Sequence, residues 1–379
     1  MNGLFKRVKF AAAALLAVTV AAPTTAADQA KDNKSVLMVI SSHGKDGGET
    51  APGYEFDEFS AAFLVFQENG LTIDVASPKG GKAEADKFDP KAPLNAKVLE
   101  DEAIMAKLDN SLPLADINPD AYEAIFIVGG KGAMFDFHND TNLQNIIRDI
   151  YVDGGTVSAV CHGPAAFVNV TLPDGTHLLA GKKVNGFTNV EEKLFGKKWA
   201  KEFEFLLEDE LMKRGGLFQS SPMMLSHVAE DGRLITGQNP TSTVHVAEAV
   251  VRSLGIEPVD RVKETDEVTL ALVQNIMDNG ISAASAYTED KSKFNGQLIS
   301  MYGYYYSMVA EKDEDITLAI DIMSLETDVS AHPTLRLQMA QSWLKLGEKK
   351  MALSVANSIL DTNPDHEGAS RFIQSLNAE

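Results

Sequence analysis

A chain of 379 residues exceeds what one ordinary domain needs, so two packed units are expected, and 44% hydrophobic with 23% charged residues is the composition of a soluble globular protein. The formal net charge of −20 argues against nucleic acid or an anionic membrane as a partner. One cysteine excludes an internal disulfide, and eight scattered histidines argue against a structural metal.

Near the start, Lys6, Arg7 and Lys9 precede an apolar run from Phe10 to Val20, and Thr24-Thr25-Ala26-Ala27 offers small residues for cleavage. The pattern predicts a secretory signal peptide over residues 1–27 and a periplasmic or secreted mature protein. The run is short for a membrane span, which takes about 20 residues. Removing the segment takes three positive charges and no acid from −20, which leaves −23.

Val36 to Ile40 is a continuous apolar run and reads as a buried strand, followed by a polar loop from Ser41 to Pro52. Phe56, Phe59, Phe63, Leu64 and Phe66 recur at helical spacing and predict a helix from Glu55 to Asn69, ended by Gly70. A strand over Leu71 to Ala76 follows, then a charged insertion over residues 84–120 with a helix from Lys97 to Asp109, read as a lid over the site. Ala124 to Val128 is a third buried strand and ends in Gly129-Gly130-Lys131-Gly132. This glycine run lacks the third glycine or the lysine-serine pair of a phosphate cradle.

A helix from Asn142 to Val152 leads into the strand Thr156 to Val160, which runs straight into Cys161. Gly163-Pro164 then opens an alanine-bearing helix, so the lone cysteine falls on a strand-to-helix turn. Ala159, two positions before, and Gly163, two after, are the small residues that let such an elbow bend sharply and expose its nucleophile. Amides at the helix start are expected to favour the thiolate. Beyond it come a strand over Lys183 to Phe187, a helix near Lys201 to Lys213, a strand near Met223 to Val228, another over Arg233 to Thr236, and a helix from Ser242 to Leu254. Alternating strands and helices predict a flavodoxin-like α/β sandwich over residues 34–255, mostly parallel, with its site at the carboxyl ends of the strands.

Residues 256–266 read as a linker, and the strand pattern stops there. Over residues 267–379 the expected fold is all-α, with helices at Glu267 to Asn279, Gln297 to Glu311, Ile316 to Leu325, Thr334 to Leu346, Lys349 to Leu360 and His366 to Leu376. The spacing of Ala340, Trp343, Gly347, Ala352, Ala356, Ile359 and Pro364 resembles a tetratricopeptide helix pair. Such a region is either a scaffold stacked against the first unit or a peptide-docking groove.

Six blocks in order resemble the ThiJ/PfpI superfamily, which has the class I glutamine amidotransferase-like fold. They are Gly53-Tyr54-Glu55-Phe56-Asp57-Glu58, Ser77-Pro78-Lys79-Gly80-Gly81, Val128 to Met134, Ala159 to Pro164, Gly186-Phe187-Thr188-Asn189-Val190-Glu191-Glu192 and Asp231 to Pro240. The long insertion and the Gly237-Gln238-Asn239-Pro240 segment are most similar to the heat-shock chaperone and glyoxalase III subgroup. The resemblance implies Cys161 as nucleophile, His162 as its acid/base, Glu58 as a pocket carboxylate on the sulfur, and Glu192, or else Glu191, as the third member of a triad. It also implies backbone donors at Gly129, Gly130 and His162. Val244-His245-Val246-Ala247-Glu248 stands where amidotransferases carry their His-Pro-Glu, so glutamine hydrolysis is disfavoured.

The implied activity converts methylglyoxal to lactate without glutathione, with deglycation of early glycation adducts as a related chemistry. No cofactor and no metal are expected. A holding chaperone or redox-stress-responsive binding protein is the alternative reading, and a cysteine peptidase-like hydrolase the third. The partners expected are a small carbonyl, a protein or peptide on the C-terminal helices, and a second copy in a homodimer.

Overall fold

The computed structural model describes residues 34–326 and 332–378. The expected signal segment lies outside the described residues. Strands β1 (Ser35–Val39), β2 (Thr72–Ser77), β3 (Leu112–Pro113), β4 (Ala124–Ile127), β5 (Thr156–Val160), β8 (Val228–Asp231) and β9 (Leu234–Gly237) form one sheet in the order β3-β2-β1-β4-β5-β9-β8. Two shorter strands, β6 (Lys183–Val184) and β7 (Leu217–Phe218), pair separately. Every pairing in the main sheet is parallel except β8 with β9, where the Asp231-Gly232 turn closes a hairpin. Val36 stands opposite Ile73 on one side and Ala124 on the other, so the continuous apolar runs fill the middle of the sheet, buried on both faces.

The chain winds outward from β1 to β3 and then returns to continue on the other side with β4 and β5. The strand order therefore reverses between β1 and β4. Loops leaving the carboxyl ends at such a reversal diverge and leave a crevice. Helix α1 (Phe56–Glu68), the helix α5 (Thr141–Val152) and the helix α8 (Thr243–Ser253) cover the sheet, with Phe59, Phe66, Ile147, Val246 and Val250 all buried.

Five local expectations are revised by the structure. The insertion carries two helices, Pro93–Glu100 and Glu102–Asp109, because Asp101 breaks the run and its side chain accepts from the amides of Ala103 and Ile104. The helix after Cys161 is a five-residue 3-10 turn, Gly163–Phe167, and the one before Lys213 starts only at Leu207. Met223 to Ser226 is irregular, with Met224 at a φ of 64°, and the strand begins at Val228. Strand β6 ends at Val184, after which the chain turns to meet Cys161.

Beyond residue 264 the described chain is helical, from Thr265–Asn279 through Ser285–Glu289, Gly296–Val309, Asp313–Ser324, Pro333–Lys345 and Lys349–Thr362 to Glu367–Ala378. Turns between them fall at Gly280 and Gly347, both in the left-handed region that glycine adopts freely. These helices share a core with the α/β part: Met223 and Leu225 are buried together with Val273, Ile276, Ile299 and Tyr302. From Lys34 onward the described residues form one compact unit. Among the described residues no helix is long and apolar enough to cross a membrane.

The elbow itself depends on Gly163, where an added Cβ would lie 2.6 Å from the Ile127 carbonyl oxygen. Gly163→Ala is expected to destabilise the fold by about 1–3 kcal/mol through overpacking. Urea denaturation checks this, and an unchanged midpoint would contradict the packing described.

Candidate active site

Cys161 leaves β5 with a φ of 59°, a left-handed conformation that costs a non-glycine residue about 1–2 kcal/mol. The backbone is held there from both sides. Its amide donates to the Gly237 carbonyl at 2.9 Å, and its carbonyl accepts from the Phe187 amide at 2.8 Å. This bend turns the sulfur toward the crevice, yet the residue is only 4% exposed, contrary to the exposure expected of an elbow nucleophile. The glycine-rich loop and α1 cover it.

His162 follows directly and is also buried. Its Nδ1 lies 3.4 Å from Cys161 Sγ, and its Nε2 lies 2.8 Å from Glu192 Oε2. With the proton on Nε2 the ring donates to Glu192, and Nδ1 is left with a lone pair facing the thiol. The imidazole is set between rings, 4.4 Å from Phe187 and 5.9 Å from Phe203 between centroids. Glu192 comes from α6 (Asn189–Phe195), and its other oxygen, Oε1, is buried without a hydrogen-bond partner among the described residues.

The neighbouring acid has a different task. Glu191 closes a capping box with Thr188 and also accepts from Gln238, Asn239 and the Met224 amide. These donors occupy both of its oxygens and fasten the start of α6 to Met224 and to Gln238 and Asn239. Of the two candidates, Glu192 is the one that touches His162.

Glu58 projects from the first turn of α1 and is completely buried, with Oε2 accepting from the Gly129 amide at 2.7 Å. Gly129 is glycine of necessity, since a Cβ would lie 2.6 Å from that oxygen and 2.7 Å from Cys161 Cβ. Oε1 has no conventional hydrogen-bond partner among the described residues, and the carboxyl interacts with the Cys161 thiol. Burial, reinforced by Glu55, holds the Glu58 carboxyl well above the usual carboxylate range. Glu55 is itself pushed up to about 7 by burial.

Burial also pushes the Cys161 thiol up, with the Glu58 carboxyl second, against the lowering expected from a helix start. The reason is geometric: the turn after Cys161 has five residues of 3-10 helix, too few aligned dipoles to offset a fully desolvated sulfur. The Gly130 amide is the group that opposes this by donating to the sulfur. The Gly129 amide is committed to Glu58, so it is not available as an oxyanion donor, and Gly130 and His162 remain of the three expected.

Several contributors carried no motif. Asp136 accepts from Ser41 Oγ at 2.9 Å and the Ser42 amide at 2.8 Å, which fixes the loop after β1. His43 stacks on Phe135 with centroids 4.4 Å apart, and Phe135 meets Phe203, so a row of rings runs from that loop to His162. Hydrophobic periodicity carries no signal for either. A cavity of about 1290 Å³ lies elsewhere, between α1, α8 and the first C-terminal helix, and none of the Cys161 group lines it. Among the described residues no cluster of His, Cys, Asp and Glu is arranged to hold a metal.

The pattern of the DJ-1/PfpI family matches residues 50–253. Glyoxalase 3 of Candida albicans is 33% identical over 248 residues, covering 57% of this chain and 96% of that protein. A glutathione-independent glyoxalase of Schizosaccharomyces pombe is 32% identical over 246 residues, covering 59% of this chain and 96% of its own. Among solved structures, glyoxalase III from Candida albicans superposes with a TM-score of 0.54 at 30% identity, covering 58% of this chain and 97% of that one.

A buried thiol with a raised pKa loses its proton only at high pH, so alkylation of Cys161 by iodoacetamide is expected to keep accelerating past the value of about 8.5 typical of free cysteine. The rate followed from pH 6 to 10 checks this. A plateau below pH 8 would contradict the electrostatics described.

Proposed function

This chain belongs to the DJ-1/PfpI family, and on that footing we propose that it is a glutathione-independent glyoxalase acting on methylglyoxal or a similarly small dicarbonyl. The observation that carries the reading is the relay from Cys161 Sγ through His162 to Glu192, at 3.4 and 2.8 Å, with the Glu58 carboxyl, held above the usual carboxylate range, beside the sulfur.

In the proposed reaction His162 Nδ1 takes the thiol proton as the sulfur adds to the aldehyde carbon. Glu192 steadies the imidazolium that results. The Glu58 carboxyl gives its proton to the aldehyde oxygen, near the Gly130 and His162 amides, and is left as a carboxylate. It then takes the hydrogen from C1, forming an enediolate, and returns it at C2 while the hydroxyl proton of C1 moves to the oxygen of C2. The product is a lactoyl thioester on Cys161. Water hydrolyses it, the sulfur regains the proton held by His162, and Glu58 is reprotonated as lactate leaves. A carboxyl that is uncharged at rest suits this double role, because it first donates and then accepts.

The burial of the sulfur favours a small carbonyl over a protein-bound glycation adduct or a peptide, which would need an open groove. The signal-like pattern of residues 1–27 supports export, which places the activity outside the cytoplasm.

Lactate formation from methylglyoxal without glutathione is the direct test. Cys161→Ala is expected to abolish it, and Glu192→Gln to lower kcat by about 10²-fold or more, the usual worth of oriented acid/base catalysis. Wild-type turnover by Cys161→Ala would end the proposal.

A further inference from the structure

The acid of the relay stands on a short support. Helix α6 has seven residues, from Asn189 to Phe195, and presents Glu192 to His162 from its middle. A helix of this length has no stability of its own and holds its angle only through what it packs against. At its start, Thr188 and Glu191 fasten it. At its end, Leu194 and Phe195 pack into the core formed with the C-terminal helices. The Phe195 ring meets the Tyr305 ring edge-on, with centroids 4.9 Å apart and planes at 74°.

A second tie runs through the same core. Glu191 Oε1 accepts from the Met224 amide at 2.9 Å, and Met223 and Leu225 on either side are buried against the C-terminal helices. Both ends of α6 are thus coupled to those helices, one through Met224 and one through Phe195. The family match ends at residue 253, so this support lies outside the part shared with the family.

We propose that the C-terminal helices are a positioning element of the active site, in which Tyr305, pressing on Phe195, holds α6 at the angle that brings Glu192 onto His162. The assignment rests on the Cys161, His162 and Glu192 relay proposed above. Tyr305 touches neither substrate nor the reacting atoms and acts through Glu192. Loss of the ring contact lets α6 tilt, lengthens the 2.8 Å contact, and leaves the imidazole free to turn away from the sulfur.

The test uses the full chain with Phe195→Ala, Tyr305→Ala and Tyr305→Phe, with Glu192→Gln as reference. In the alanine variants kcat for methylglyoxal is expected to fall about tenfold, with KM changed by less than about twofold, since a misplaced acid is felt mainly in the chemical step. The pH profile of Cys161 alkylation is expected to shift in the direction seen for Glu192→Gln, and Tyr305→Phe, which keeps the ring, to restore both. Should the alanine variants fail to fold, Phe195→Leu keeps apolar bulk without the ring contact and carries the same comparison. Folded variants with a wild-type alkylation profile would overturn the proposal. Because alkylation needs no substrate, a wild-type protein inactive on methylglyoxal refutes the glyoxalase reading alone, and the alkylation profiles still decide the role of Tyr305.

Discussion

Two hydrogen bonds hold the backbone of Cys161 in a conformation it would otherwise leave. The Gly237 carbonyl takes its amide at 2.9 Å and the Phe187 amide takes its carbonyl at 2.8 Å, so the end of β9 and the loop before α6 clamp one residue. The strain of about 1–2 kcal/mol is small against a sheet buried on both faces, which is why the sheet and not the loop must supply the rigidity. The consequences spread outward. Gly163 must lack a side chain to clear the Ile127 carbonyl, and Gly129 must lack one so that α1 can bring Glu58 against the sulfur. The same loop that holds Cys161 continues into Thr188 and Glu192, so the clamp also sets where the acid of the relay begins.

Three glutamates within this small volume do three different things, and environment decides which. Glu58 is stripped of water, given one amide donor and a thiol, and its carboxyl is held well above the usual carboxylate range. Glu191 is equally buried but receives donors from Thr188, Gln238, Asn239 and Met224, which makes it a structural knot. Glu192, one residue on, points to another face of α6 and meets His162 Nε2 at 2.8 Å. Their separation follows from helix geometry: consecutive residues on a helix lie about 100° apart, so an acidic pair divides between two faces.

That division explains what was legible in the chain beforehand. The elbow could be read from Ala159, Cys161 and Gly163 because sterics demand small residues at those places, and the strands because a doubly covered sheet demands continuous apolar runs. The choice between Glu191 and Glu192 could not be read, since it turns on the start of α6 to within one residue. The thiol shift runs opposite to the expectation for a related reason. A glycine-proline pair signals that a helix begins, but not that it ends after one 3-10 turn, nor how deeply α1 buries the sulfur. The commitment of the Gly129 amide to Glu58 spans 71 residues of sequence and has no local signature.

The C-terminal helices carry the same lesson to longer range. Composition marks them as a separate helical stretch, and residues 256–264 have no regular structure, as a linker would. Yet Arg261 in that stretch binds Glu248 on α8 at 2.8 Å and Glu267 on the first C-terminal helix at 2.6 Å, which restrains the connection at both ends. Met223 and Leu225 contribute further. Fully burying such side chains is worth roughly 1.5–3 kcal/mol each, and without the helices both would face water. If the proposed reaction on a three-carbon dicarbonyl holds, the substrate itself gives no need for the C-terminal helices to contact it. What the site does need is a fixed Glu192, and the seven residues that carry it are too few to fix themselves. The apolar face that the catalytic part leaves open at Leu194, Phe195, Met223 and Leu225 is the face the helices cover, so covering it stabilises the fold and orients the acid through the same contacts.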